Sequence, residues 1–305
     1  MERKNFTIAS PADGILLAVT VIKPEIEGEP KGIVQFVHGM VEHRKRYFNV
    51  MEWFARRGYV CIIHDHRGHG ESARSEKDFG YFGRGGWKAL VDDIKAVGDS
   101  LRKEYGRIPF FLVGHSMGSM AARSYLKRYP DTIDGLVVCG SPSDNPAKGM
   151  GKAVAMLSGI FCGWHHRSEL LKKISFKGYN RPFRKEGFAK AWTCSDRAVL
   201  EDYHSDPLCD FTFTSNGFLN LFRLMGDCYS PDGWTVTRPN MPVLFLSGSQ
   251  DPCRKSDEAF LAAVQFLRDR GYGNVSCRLY PGMRHAVLLE TDREMVWKDI
   301  LDFIE

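Results

Sequence analysis

The chain has 305 residues, of which 43% are hydrophobic, 26% charged and 12% aromatic. This balance is typical of a globular protein, and it excludes a disordered chain, a collagen-like repeat and a small disulfide scaffold. The net charge of +5 comes from 42 basic and 37 acidic residues. Because these charges are not gathered into a stripe, they argue against a nucleic-acid partner. We interpret the densest basic stretches, residues 44–46 and 181–185, as solvated faces.

No apolar run approaches the ~20 residues that a bilayer-spanning helix needs. The charged N-terminus lacks the apolar region of a signal peptide. The eight cysteines include no CxxC pair, which favours reduced, structural thiols. We therefore expect a cytoplasmic protein, and the residues indicate no particular oligomeric state.

Short apolar runs alternate along the chain with longer amphipathic segments, as in a parallel sheet covered by helices on both faces. The fold class is therefore predicted to be α/β. The predicted strands are residues 15–22, 32–37, 60–64, 109–113, 135–139, 243–247 and 276–280, and the predicted helices are residues 46–57, 87–104, 118–128, 257–270 and 293–304.

Residues 141–234 interrupt this alternation. They show no clean strand pattern, but they carry fourteen phenylalanine, tyrosine and tryptophan residues. Because structureless stretches of this length are rare, we predict a helical cap, or lid, over the carboxyl ends of the strands. Residues 1–140 and 235–305 would then form the core domain. The alternative is an aromatic helical layer that only packs on the sheet.

The pentapeptide Gly114-His115-Ser116-Met117-Gly118 lies between a predicted strand and a predicted helix. In a G-x-S-x-G sequence at such a position the chain turns sharply and presents the serine hydroxyl. Free N–H groups at the start of the helix favour negative charge there. We therefore predict that Ser116 is a nucleophile.

A serine nucleophile needs a base, and the base needs an orienting acid. Asp251 and His285 each follow a predicted strand, in the chain order serine, acid, histidine that such hydrolases use. His285 would accept the Ser116 proton, and Asp251 would hold the histidine tautomer. Each assignment has an alternative. Asp251 could be an ordinary turn residue, with Asp144 then supplying the acid, and His285 could be a helix cap.

An oxyanion hole requires two N–H donors that face the reacting carbonyl oxygen. We assign one to the backbone amide of Met117 and the other to that of Met40, in the loop after strand 32–37. The alternative is that this loop, His38-Gly39-Met40, is only a strand-ending turn.

Residues 64–70, HDHRGHG, contain three histidines, a density that zinc sites share. They lack the H-x-H-x-D-H order, and no second group of histidine, aspartate or glutamate residues stands out to complete a ligand set. We therefore predict no metal here and expect the turn of residues 67–70 to shape the floor of the active site.

These motifs resemble the α/β-hydrolase superfamily, and within it the monoacylglycerol lipase and lysophospholipase group of the serine aminopeptidase-type hydrolases. The resemblance covers nearly the whole predicted core. It rests on residues 38–43, 46–47, 65–72, 114–119 and 248–251, together with His285.

The resemblance implies a mostly parallel eight-stranded sheet, a cap, and an acyl-enzyme mechanism without a cofactor. It also implies that Glu42, Arg46 and His115 line the polar end of the site, where the alcohol head of the substrate sits. The alternative for Glu42 and Arg46 is an ordinary i,i+4 ion pair. Two residues depart from the family pattern: Met40 is bulky where a small residue is common, and Ser119 replaces a common glycine.

The sequence thus predicts a serine ester hydrolase for esters with an apolar acyl chain, such as monoacylglycerol or lysophospholipid. The alternatives are a small-ester esterase, an amino- or imino-peptidase, and a ligand-binding protein on a hydrolase scaffold. The apolar residues 150–163 either pack on the core or make transient contact with a membrane surface. A peptidase would bind the free amine of its substrate through acids of the cap, for which the candidates are Glu169, Glu186, Asp196, Glu201 and Asp202.

Overall fold

The computed structural model describes the whole chain, residues 1–305, around one eight-stranded sheet. Across the sheet the strands follow the order β1-β2-β4-β3-β5-β6-β7-β8; β2 pairs antiparallel with β1 and with β4, and the other pairs are parallel. The predicted α/β class and the mostly parallel sheet are confirmed. The strands are β1 (Glu2–Ala9), β2 (Leu16–Lys23), β3 (Gly32–Val37), β4 (Tyr59–His64), β5 (Phe110–His115), β6 (Gly135–Cys139), β7 (Val243–Gly248) and β8 (Val275–Tyr280).

Strand β1 is absent from the predicted strands. It lies at the edge of the sheet and is mostly exposed, with only Phe6 and Ile8 partly buried. An edge strand of this kind has no continuous apolar run, so its charged sequence resembles a loop.

Nine helices cover the sheet, and none of them combines the length and the apolar character that crossing a bilayer requires. The five predicted helices are present, but the first is shorter than predicted, because residues 44–47 form a 3-10 turn with His43 at its N-cap. The helices are α1 (Phe48–Ala55), α2 (Gly86–Tyr105), α3 (Met117–Arg128), α4 (Lys148–Cys162), α5 (Glu169–Phe176), α6 (Arg197–Ser205), α7 (Ser215–Cys228), α8 (Asp257–Asp269) and α9 (Arg293–Ile304).

Two apolar cores lie on the two faces of the sheet. Along β3, Ile33 and Val37 join the larger core, whereas Val34 and Phe36 point into the smaller one. Successive side chains of a strand alternate between faces, so a strand with helices on both sides is apolar at nearly every position. Helices α2, α3, α7 and α8 contribute to the larger core, and α1 and α9 contribute to the smaller one.

Residues 140–242, between β6 and β7, form α4 to α7 and short 3-10 turns but no strand. Helix α4 packs closely on α7, because a Cβ atom at Gly151 would lie only 2.6 Å from the Phe222 ring. Helix α7 packs in turn against α2 and α3. The division of the chain at residues 141 and 234 stays a prediction.

Four buried histidine rings, His38, His64, His66 and His69, form a histidine cluster behind the loop that follows β3. His38 Nδ1 donates to the carbonyl of Gly39 at 2.8 Å, and His66 Nε2 donates to the carbonyl of His38 at 3.0 Å. Neither ring nitrogen of His64 has a hydrogen-bond partner. Burial lowers the pKa of His64 to about 3 and that of His69 to about 4, so the fold holds both rings neutral.

Acid should therefore destabilise the protein. In an unfolded chain these histidines have a pKa of about 6.5, above their pKa in the fold. Stability is therefore highest above about pH 6.5. It falls as the pH drops towards the pKa of His69 in the fold, about 4, and then that of His64, about 3. Each ring should remove about 1.4 kcal/mol of unfolding free energy per pH unit in this window. Urea titrations at neutral and mildly acidic pH measure this slope.

Replacing His64 by leucine removes one of these protonation sites, so the dependence of stability on pH should become shallower by up to one proton. The same replacement at His166, which is exposed, is the matched control and should leave the slope unchanged. Identical slopes in His64→Leu and the unmodified protein would contradict this account of the histidine cluster.

Candidate active site

Ser116 occupies a sharp turn between β5 and α3. Its backbone has φ 54° and ψ −119°, a strained conformation for a residue with a side chain. The turn is tight because Gly114 and Gly118 lack side chains: a Cβ atom at Gly114 would lie 2.6 Å from the carbonyl oxygen of Gly118. A Cβ atom at Gly118 would lie 2.2 Å from the carbonyl oxygen of Val37. The two glycines thus allow α3 to begin directly beside β3.

Three predicted site residues meet at the carboxyl ends of β5, β7 and β8. Ser116 Oγ lies 2.8 Å from His285 Nε2, and His285 Nδ1 lies 2.9 Å from Asp251 Oδ2. An ionised carboxylate only accepts hydrogen bonds, so Nδ1 carries the proton and Nε2 is free to accept one from the hydroxyl. The other Asp251 oxygen accepts the backbone N–H of Cys253 at 2.8 Å, and the Ser247 hydroxyl lies 3.3 Å from Oδ2.

The sequence left three alternatives open: Asp144 as the acid, Asp251 as a turn residue and His285 as a helix cap. Asp144 is half-exposed and forms an ion pair with Lys148. Asp251 does begin a short 3-10 turn, but its second carboxylate oxygen remains bonded to His285. His285 lies in a bend rather than at the start of a helix. The structure thus brings Asp251, and not Asp144, to the histidine.

The backbone amides of Met40 and Met117 donate no hydrogen bond to another group of the protein. Met117 is the first residue of α3, where an amide has no partner within the helix. Val41, next to Met40, has φ 54°, a second strained residue at this edge of the sheet. Ser119 is buried, and its hydroxyl donates to the Ser116 carbonyl at 2.5 Å, so the turn accommodates this departure from the family pattern.

A buried carboxylate, Glu42, lies beside this turn. Its Oε1 accepts the Gly39 amide at 2.6 Å and the Tyr47 hydroxyl at 2.9 Å, and it lies 3.1 Å from His115 Nδ1. Arg46 Nε donates to its other oxygen at 3.3 Å. Burial alone would raise the pKa of Glu42, but the contacts with His115 and Arg46 lower it well below its usual range. Glu42 is therefore ionised.

Glu42 and Arg46 form an ion pair and also line the cavity, so the two interpretations of their spacing both hold. They form an i,i+4 ion pair, and together with His115 they also line the cavity that contains Ser116. This cavity has a volume of 860 Å³, within the range of ligand sites. Its lining is largely apolar and includes Met40 and eight aromatic side chains of the region between β6 and β7: Phe176, Tyr179, Trp192, Tyr203, Phe211, Phe213, Phe218 and Phe222.

A clasp that the sequence did not predict holds the loop of His285. Arg284 Nη1 donates to Glu186 at 2.9 Å, to the Ala191 carbonyl at 2.7 Å and to the Cys194 carbonyl at 3.0 Å. On the other side of His285, the Ala286 amide donates to the carbonyl of Thr193 at 2.7 Å. The segment 186–194 is thus bonded to the chain on both sides of the histidine.

Glu290 completes this clasp, and it is fully buried. Its carboxylate accepts the Arg284 amide at 2.8 Å and the Ser195 amide at 3.0 Å. The only hint in the sequence is an acidic residue directly after the apolar run AVLL. The Trp192 ring, 5.1 Å from the His285 ring, covers the histidine from the same side.

Two groups of three side chains bring potential metal-ligand atoms within 4.8 Å of one another: His43 with Asp206 and Cys209, and Asp251 with Cys253 and His285. In both groups a hydrogen bond already joins the histidine to the carboxylate, at 2.7 Å and 2.9 Å respectively. Burial raises the pKa of the Cys209 thiol to about 12 and that of Cys253 well above its usual value. In both groups, therefore, the histidine and the carboxylate already share a hydrogen bond, and the thiol keeps its proton.

Comparisons with other proteins show the family to which the chain belongs. The family model described as serine aminopeptidase, S33, matches residues 28–292. The chain is 30% identical over 280 residues to the monoglyceride lipase of Rattus norvegicus, which covers 90% of this chain and 82% of the rat protein. It is 24% identical over 295 residues to the monoacylglycerol lipase of Mycolicibacterium smegmatis, covering 95% of this chain and 93% of that protein.

A similar fold is found in a thermostable carboxyl esterase from Bacillus coagulans, whose structure contains glycerol. The two structures superpose with a TM-score of 0.86 and 25% sequence identity over the full length of both chains. These similarities agree with the resemblance that the sequence motifs indicated.

Replacing Arg284 by methionine should lower the unfolding free energy by about 2–3 kcal/mol, because it leaves two buried carbonyls without a donor. Urea denaturation measures this change. The matched control is Arg197→Met, because Arg197 is exposed and its side chain bonds only with Glu201, so the unfolding free energy should stay nearly unchanged. If Arg284→Met were as stable as the unmodified protein, the hydrogen bonds of Arg284 would make no net contribution to the unfolding free energy.

Proposed function

The chain belongs to the serine aminopeptidase (S33) family and is a serine ester hydrolase, and we propose that Ser116, His285 and Asp251 are its catalytic triad. The observation that carries this proposal is the hydrogen-bonded row of these three side chains, with distances of 2.8 and 2.9 Å, at the wall of the cavity. A nucleophile, its base and an orienting acid are thereby in contact before any substrate binds.

In the proposed mechanism, Ser116 Oγ attacks the ester carbonyl carbon while its proton passes to His285 Nε2. The carbonyl oxygen gains negative charge, and the free amides of Met40 and Met117 stabilise it. The C–O bond to the alcohol then breaks, and His285 donates its proton to the leaving oxygen. Water, activated by the same histidine, hydrolyses the acyl-enzyme and restores the Ser116 hydroxyl. No cofactor takes part.

The proposed substrates are monoacylglycerols or lysophospholipids, esters with one apolar acyl chain. Two relatives are named monoglyceride or monoacylglycerol lipases. The cavity supports this choice, because 21 of its 37 lining residues are hydrophobic, which suits an acyl chain. Three of its polar residues, Glu42, Arg46 and His115, are joined by hydrogen bonds next to Ser116, where the alcohol would leave.

We further propose that residues 141–234 act as a cap over the site. Most of the aromatic wall of the cavity belongs to this segment, and α5 contributes Leu170 and Ile174 to it. The clasp around Arg284 joins the same segment to the loop of His285. Substrate must therefore pass the cap to reach Ser116.

An aminopeptidase is the second candidate, because the family description names that activity. Of the cap acids that could bind a free amine, only Glu169 lines the cavity. Glu186 is bonded to Arg284, and Asp196 caps α6 and contacts Arg293. Ester hydrolysis is therefore the better-supported activity.

The direct test is hydrolysis of p-nitrophenyl esters from acetate to palmitate. We expect kcat/KM to rise from acetate to medium or long chains, because a longer chain buries more apolar surface in the cavity. Ser116→Ala and Asp251→Asn should each lower kcat by at least about 10⁴-fold. Asp144→Asn is the control and should be as active as the unmodified protein.

Full activity in Ser116→Ala, or no labelling of Ser116 by an activated fluorophosphonate, would contradict the proposed triad. A maximum at acetate would indicate a small-ester esterase, with the acyl site narrowed by Met40. Faster turnover of aminoacyl naphthylamides than of any ester would favour the aminopeptidase.

The cap also presents an apolar face, which we propose makes transient contact with membrane surfaces. Phe161 is 81% exposed and Ile160 61% exposed, far more than large apolar side chains usually are. The other members of this apolar face are Met150, Leu157, Trp164, Leu170 and Ile174. Seven of the chain's twelve exposed large hydrophobic residues thus lie on α4, α5 and the turn between them.

The double variant Ile160→Ser and Phe161→Ser should weaken binding to phospholipid vesicles by at least about tenfold, because each side chain contributes about 1.5–3 kcal/mol when buried in lipid. Co-sedimentation with vesicles measures this. Leu261→Ser, on α8 and 53% exposed before replacement, is the matched control. Equal vesicle binding by the unmodified protein, the double variant and Leu261→Ser would contradict a membrane contact through Ile160 and Phe161.

A further inference from the structure

The cavity around Ser116 has an excess of positive charge. Among its lining residues are five basic side chains, against two acidic ones, Glu42 and Glu169. This imbalance is unusual for a site that would bind only a neutral lipid, because a cation next to an apolar wall loses hydration and gains nothing from an uncharged ligand. The basic residues are Arg46, Lys172, Lys173, Lys177 and Lys190.

Glu42 does not neutralise Arg46 fully. Its carboxylate already accepts the Gly39 amide and the Tyr47 hydroxyl and contacts His115, and it meets Arg46 only through Nε, at 3.3 Å. The two terminal nitrogens of the Arg46 guanidinium donate no hydrogen bond to the protein. They form the planar fork that binds phosphate or carboxylate oxygens through two parallel hydrogen bonds.

Lys190 and Arg46 both lie near one aromatic ring, that of Tyr203. The Arg46 guanidinium carbon is 5.0 Å from the centre of the Tyr203 ring, and Lys190 Nζ is 5.1 Å from it. Lys190 Nζ also donates to the Tyr203 hydroxyl at 3.1 Å and forms an ion pair with Asp210. Tyr203 is buried, and Arg46, Lys190 and Tyr203 all line the cavity.

The backbone holds this ammonium group in place at a cost. Lys190 and Asp210 both have φ 56°, the left-handed region that side chains disfavour. Asp210 is fixed further by His204, whose Nδ1 lies 3.0 Å from its carboxylate. Lys190 lines the cavity, and strained residues of this kind are found at ligand sites, where the surroundings maintain the strain.

The position of these cations indicates which part of the substrate they meet. Arg46 is bonded to Glu42, which contacts His115 and Gly39, the neighbours of Ser116 and Met40. Met120, Leu221, Phe222 and Met225 also line the cavity, and apolar side chains of this kind suit the acyl chain. The anionic group therefore belongs to the alcohol of the ester.

We propose that this cavity selects esters whose alcohol carries a phosphate, with Arg46 and Lys190 binding the phosphate oxygens. The substrate class is a lysophospholipid with a net negative head group, in preference to a neutral monoacylglycerol. This inference rests on the proposed esterase function and names its head-group preference.

The test compares hydrolysis of monooleoyl glycerol phosphate and monooleoylglycerol. Both are presented at the same low mole fraction in the same neutral detergent micelles, which limits the surface charge that the phosphate ester itself adds. We expect kcat/KM to be at least about tenfold higher for the phosphate ester, since a hydrogen bond between charged groups contributes about 1.5–3 kcal/mol. Added salt should lower this ratio by screening the charges.

Lys190→Gln should reduce the ratio of the two kcat/KM values about tenfold, mainly through KM for the phosphate ester. Lys190→Arg keeps the cation and should largely restore the ratio, which separates charge from folding defects. Lys185→Gln, an exposed cap lysine outside the cavity, is the matched control and should leave the ratio unchanged.

A ratio at or below one, or a ratio that Lys190→Gln leaves unchanged, would overturn the inference. If p-nitrophenyl esters were still hydrolysed through Ser116, the proposed esterase function would stand. If no ester were hydrolysed, the proposed function itself would fail. Stronger turnover of a half-ester between a long dicarboxylic acid and a neutral alcohol would place the anion at the acyl end and also overturn the assignment.

Discussion

The approach of helix α3 to strand β3 is the contact on which the site depends. It brings the backbone of Gly118 against the carbonyl of Val37, so closely that no Cβ atom fits between them. This contact places the first free amide of α3 beside the loop that carries Met40, and it forces Ser116 into its strained turn. Ser116, the proposed nucleophile, and the free amides of Met40 and Met117 are therefore gathered where the parallel strands end at a common edge of the sheet.

The central elements could be predicted because they are buried on both faces. Strands such as β3 are apolar at nearly every position, and the residues after β5, β7 and β8 follow the chain order of a serine hydrolase. Edge strand β1 was missed, because exposure removes this signal. The clasp around His285 was missed for a different reason: Arg284 and Glu186 are far apart in the sequence, and no local pattern links them.

Charge was the least predictable feature. The interpretation of residues 44–46 as a solvated face is wrong for Arg44, which is buried and paired with Asp65 and Thr20. Arg46 is half-buried at the cavity wall, and only Lys45 is exposed. In residues 181–185, by contrast, the basic side chains are exposed, as expected. A run of basic residues does not reveal which of them turn inward, because that depends on partners elsewhere in the chain.

The basic lining of the cavity also bears on how a reaction there ends. Ester cleavage converts an uncharged acyl group into a fatty acid, which is ionised at neutral pH. Lys172, Lys173 and Lys177 line the part of the cavity that α5 contributes, beside the exposed side chains of the cap. Under the proposed mechanism, a newly formed carboxylate would lie beside a wall of opposite charge. Under the proposed function the departing acid is itself a ligand of this wall, so that turnover becomes sensitive to how quickly the product is withdrawn into a membrane or by a carrier.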